Sequence, residues 1–89
     1  MSWAVSALSL SNARVVLGLG LKVIEEGQRE FDLGGMETTD SSSIAVLLAW
    51  QRAARAGGGA VRFLNVPSAV TSFSELYGVS DLLGLSGAP

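Results

Sequence analysis

Between Glu37 and Trp50 the chain reads ETTDSSSIAVLLAW. Thr38, Thr39, Ser41, Ser42 and Ser43 gather five hydroxyls around the Asp40 carboxylate, directly ahead of an apolar run. A serine or threonine hydroxyl attacks a substrate only when a neighbouring base takes its proton. The 89-residue chain has no histidine and no cysteine, and its sole lysine is Lys22. Enzymatic activity is therefore not expected. Two roles remain for the cluster. Asp40 at a helix N-cap would accept a backbone N–H two or three residues on, with its charge at the positive end of the helix dipole. A hydroxyl in the first turn could also meet a partner, or carry a phosphate as a switch.

The other reactive groups are scattered. Glu25, Glu26, Glu30, Asp32 and Glu37 have no partner base and read as solvated surface or caps. Gly18-Leu19-Gly20 and Gly57-Gly58-Gly59 lack the Gly-Lys-Ser/Thr of a phosphate loop, so they read as helix packing and helix termination. No metal site and no cofactor are expected. Six basic against eight acidic residues leave a net charge of −2 with no basic run, which argues against nucleic acid. Without cysteine there is no disulfide framework.

The chain has the length of one small domain. Its hydrophobic fraction of 48% and mean hydropathy of +0.42 are high for that size, so part of the apolar surface is expected to cover a partner. No stretch reaches the roughly 18 apolar residues that a membrane span needs. MSWAVSALSL lacks the basic start of a secretory signal. A cytoplasmic location is expected, with any membrane contact made through partners.

The elements that must position these groups follow from periodicity. Trp3–Leu10 is expected as a strand, though neither of its faces is clean. Ser11 and Asn12 are good caps for a helix over Ala13–Glu26, with Val15, Val16, Leu19, Leu21 and Val23 inward and Gly27 closing it. Its rival is a second hairpin strand over Arg14–Leu21, because Gly18 and Gly20 each cost a helix about 1 kcal/mol. Arg29–Gly34 is expected as a strand with Phe31 and Leu33 on one side. Ser41–Ala56 is the clearest helix and Ala60–Val66 a further strand. Pro67 opens a helix carrying Val70, Phe73, Leu76 and Tyr77, and Val79, Leu82 and Leu83 make a last short turn. The tail Ser86–Pro89 is expected to fray. Trp50, Phe63, Phe73 and Tyr77 read as core or core-edge aromatics. Alternation of strand and helix predicts an α/β fold with a mostly parallel sheet of about four strands and three to four helices.

On a wheel of about 100° per residue, Val46, Leu47, Trp50, Ala53 and Ala54 of the long helix make the sheet-facing stripe. Ser41, Ile44, Ala45, Leu48, Gln51, Arg52 and Arg55 fall on the other side. Two aliphatics rimmed by polar groups predict a docking face there, unless a neighbouring helix covers them.

Two segments, FDLGGMETTDSSSIAVLL (Phe31–Leu48) and VRFLNVPSAVTSFSELYGVSDLL (Val61–Leu83), resemble the STAS domain family. Within it the chain is most similar to the MlaB-type subunit of the Mla phospholipid-transport ABC complex of Gram-negative bacteria. Ser43 stands where the family usually has glycine, and Ile44 where it has leucine. The part before Arg29 is shorter than usual, so a first edge strand is expected to be missing or merged into Trp3–Leu10. The resemblance implies a non-enzymatic accessory subunit that binds the ABC ATPase subunit at the cytoplasmic face of the inner membrane, through Asp40, Ser41, Ile44, Leu48 and Arg52. Ser41 matches a threonine used for assembly with the ATPase. The alternative it implies is an anti-sigma factor antagonist that binds a serine kinase and is switched by phosphorylation of Ser42.

Overall fold

Val5 and Leu8 are both buried, yet they stand three residues apart, and a pleat cannot turn both to one face. The first strand is accordingly short. The computed structural model describes residues 2–6, 8, 9, 11–36 and 39–85. Ala7 and Leu10 of the expected first strand, Glu37 and Thr38 of the hydroxyl run, and the expected tail lie outside them. Its elements are β1 (Trp3–Ala4), α1 (Ala13–Glu25), β2 (Glu30–Asp32), α2 (Ser42–Ala56), β3 (Arg62–Leu64), α3 (Ser68–Leu76) and α4 (Ser80–Leu83). The sheet runs β1-β2-β3 with both pairs parallel, as expected of the α/β class. It has three strands among the described residues, where about four were expected. β1 covers two residues rather than Trp3–Leu10: Val5 N–H still donates to Asp32 O at 2.9 Å, and the chain then leaves the ladder. Beyond it, Leu8 forms an isolated parallel bridge with Thr39 in the loop before α2.

Strand order that follows chain order, with right-handed crossovers, puts α1 and α2 on the same face of the sheet. The registers place Trp3, Phe31 and Phe63 side by side across the three strands, and Trp50 of α2 completes the cluster. Phe31 lies 4.8 Å from Trp50, 5.1 Å from Trp3 and 6.3 Å from Phe63 between ring centroids, all edge-on. Phe31 and Leu33 share a side of the pleat and both are fully buried, as expected. The alternate positions Glu30, Asp32, Arg62 and Leu64 turn to the other face, where Glu30 and Arg62 form an exposed ion pair at 3.9 Å.

The segment Arg14–Leu21 is helical, and α1 ends where Gly27 takes φ 99°. Its rotation differs from the expected one. Val15 and Leu19 are 66% and 52% exposed, while Gly20 and Ile24 are buried and Val16, Leu21 and Val23 pack at the edge. The cause is the Trp50 indole. A Cβ on Gly20 would stand 2.2 Å from the ring, so only glycine lets the helices approach there. The indole N–H donates to Leu17 O at 3.0 Å. That contact fixes which side of α1 faces inward, and hydrophobicity alone does not reveal it. Asn12 occupies the N-cap but serves the preceding turn instead, accepting the Ser9 N–H at 2.8 Å.

Candidate partner-binding site

The hydroxyl run is consumed largely by local structure. Asp40 Oδ1 accepts the Ser42 N–H at 3.0 Å and also the Ser42 hydroxyl. Ser43 is fully buried and its hydroxyl donates to Asp40 O at 2.9 Å. The Thr39 hydroxyl donates to Leu8 O at 2.9 Å, tying the loop back to the end of β1. The Ser42 N–H bond satisfies a donor that the first turn of α2 would otherwise leave open. Among the described hydroxyls of the run, Ser41 is the exposed one.

The flank of α2 expected to face outward divides. Ile44 is only 4% exposed and belongs to the core, a correction to its placement on the docking face. Gln51 is buried as well: its amide donates to Val61 O at 2.9 Å and accepts the Val61 N–H at 2.7 Å, extending the edge of β3 as a strand would. The physical reason is that α3 and α4 both pack against α2, with Leu83 of α4 fully buried. The buried arc of α2 is thereby wider than the stripe facing the sheet.

What stays outside is narrower and more regular. Ser41, Ala45, Arg52 and Arg55 are exposed and Leu48 is half-buried. Their spacing of four, three, four and three residues keeps all five within about 80° of one another on the helix. Near its end the stripe borders a cleft of about 110 Å³ lined by Leu48, Gln51, Arg52, Arg55 and Leu82. Leu82 is 52% exposed. Neither arginine forms an ion pair among the described residues. Leu76, placed at helical spacing, and Tyr77, expected at the core or its edge, are exposed at the end of α3. Their helical spacing suggested burial, but Gly78 at φ 70° ends the helix immediately after them. Leu82 was visible in the sequence only as part of a short apolar turn.

A second feature lies at the C-terminal ends of β2 and β3. Asp32 accepts the Gly34 N–H at 2.8 Å and the Asn65 amide at 3.2 Å, and Asn65 itself takes φ 52°. The Gly34 bond first, and the Asn65 bond second, hold the Asp32 carboxyl below its ordinary value against a small opposing effect of burial. The groups lock two strand ends together, and each is occupied in doing so. Elsewhere, a cleft of about 730 Å³ opens between the lower halves of α1 and α2, with Lys22, Glu25 and Arg29 at its rim. Arg29 is engaged with helix-end carbonyls, donating to Ile24 O and Gln28 O at 2.9 Å each.

None of the described helices is long and apolar enough to cross a membrane. A family model described as Mlab, STAS domain matches residues 4–84. No curated protein matches the chain.

Proposed function

The chain belongs to the MlaB-type STAS domain family, and on that premise we propose that it is a non-enzymatic accessory subunit binding the ATPase subunit of a phospholipid-transport ABC complex. STAS domains are in general binding modules rather than catalysts. The single observation that carries the proposal is the outer stripe of α2, which runs from Ser41 through Ala45 and Leu48 to Arg52 and Arg55. It offers an exposed hydroxyl at one end and two arginines beside an apolar cleft at the other. Ile44 supports this helix from beneath, and Asp40 fixes its first turn. Docked at the cytoplasmic face of the inner membrane, such a subunit raises ATPase activity by binding the competent state better than the incompetent one. A coupling of about 1–3 kcal/mol is typical.

The Ser42 hydroxyl donates to the Asp40 carboxylate, so a phosphate there would set about two negative charges against a third. That favours constitutive assembly over a phosphorylation switch. Affinity purification of the tagged chain from its native cells, followed by identification of the bound chains, tests the proposal. An ABC ATPase is expected, retained by Ser42→Asp and lost with Ser41→Arg. Recovery of a serine kinase released only by Ser42→Asp would overturn it in favour of the anti-sigma antagonist.

A further inference from the structure

α1 carries three features that its own fold does not explain, all on its outer face. Val15 and Leu19 are large, apolar and more than half exposed. Gly18, between them, weakens the helix, yet a Cβ there would meet nothing within 4 Å. Gly20, two residues on, is required by Trp50; no contact among the described residues requires Gly18. The charges at the start of the helix run against its dipole: Arg14 stands in the first turn with no acid there, while Glu25 and Glu26 stand beside Lys22 at the other end.

A second copy of the same helix, laid antiparallel, answers all three. We infer that the outer face of α1 is a self-association surface through which two copies of this chain pair about a two-fold axis. Such an interface is isologous, so each copy must supply both knob and hole. Leu19 and Gly18 are adjacent, and setting Leu19 over Gly18 of the second copy returns the same contact from the other side. In that register Val15 lies against the stem of Lys22 of the second copy. Arg14 comes within a helical turn of Glu26 of the second copy, so the two helix ends meet with opposite charge. A parallel pairing would instead set Arg14 on Arg14 and Glu25 on Glu25.

One 13-residue helix per copy buries less than the roughly 1,200 Å² of a stable interface, so the pair is weak and its dissociation constant falls between about 10 µM and 1 mM. Sedimentation equilibrium of the purified chain across that range tests the inference. A reversible monomer–dimer equilibrium is expected. Gly18→Gln fills the hole from a Cβ that meets nothing within 4 Å; it should keep or raise the melting temperature while weakening the dimer at least tenfold. Leu19→Glu should weaken it similarly. Arg14→Glu should weaken it less, and combining Arg14→Glu with Glu25→Arg and Glu26→Arg should restore it. A chain that stays monomeric at about 1 mM, or a dimer indifferent to both Gly18→Gln and Leu19→Glu, would overturn the inference.

Discussion

α1 and α2 are crossover helices on one face of one sheet, and they solve the same packing problem in opposite ways. α2 turns a broad arc of large groups inward, with Leu47 and Trp50 fully buried. α1 meets that arc with Gly20, a residue that contributes space rather than surface. The rotation of α2 is set by what it buries, and the rotation of α1 by what α2 has already buried. The outer faces differ in kind as well. The stripe on α2 mixes a hydroxyl, an aliphatic and two exposed arginines, whereas α1 displays Val15 and Leu19 around a glycine. The first suits a polar-rimmed contact with another protein, and the second a close approach of helix backbones.

Breaking the shared packing should have the largest effect. Trp50→Ala removes the ring at the centre of the aromatic cluster and should cost about 3–5 kcal/mol. That is a large part of the roughly 4–13 kcal/mol available to a chain of this size, and urea denaturation would show partial or complete loss of the fold. Next is Gln51→Leu, which leaves the buried N–H and C=O of Val61 without partners. At about 1–3 kcal/mol for each orphaned group, a fall of about 2–6 kcal/mol is expected by the same measurement.

The comparison sharpens with one substitution made at two places. Gly20→Ala drives a methyl into the Trp50 indole and should destabilise by about 2–3 kcal/mol. Gly18→Ala, facing open space, should stabilise by about 0.5–1 kcal/mol through helix propensity alone. Equal effects at the two sites would mean that α1 is rotated otherwise than described.

The smallest effect is expected at Asp32. Its carboxyl is held below the ordinary value by the Gly34 and Asn65 bonds. Its contribution is therefore complete above the unfolded pKa of about 3.9 and is lost as pH falls through the lower folded value. The stability advantage of the native chain over Asp32→Asn should be present at neutral pH and shrink at about pH 3 and below.

Much of this architecture was legible in the residues. The alternation of Phe31 and Leu33, the length of α2, and the Ser42 N–H bond to Asp40 each rest on a local rule that one segment states by itself, although the N-cap position falls on Ser41 rather than Asp40. Ile44, Gln51 and the rotation of α1 were not legible, because each depends on a neighbour distant in sequence. Ile44 is enclosed because α3 and α4 return to α2. Gln51 is buried because its amide takes up both backbone groups of Val61, just ahead of β3, and Gly20 faces inward because of a tryptophan 30 positions later. For the same reason the flank of α2 expected to face outward changes in extent: Ser41, Leu48 and Arg52 remain at or near the surface, and Ile44 leaves it for the core.

The central claim assigns different partners to the two outer faces, and one measurement separates them. The affinity of the purified chain for the ABC ATPase subunit would be compared for Ala45→Arg on α2 and Leu19→Arg on α1, both exposed positions. Ala45→Arg should abolish binding and Leu19→Arg should leave it unchanged. Binding that survives Ala45→Arg but is lost with Leu19→Arg would contradict the account.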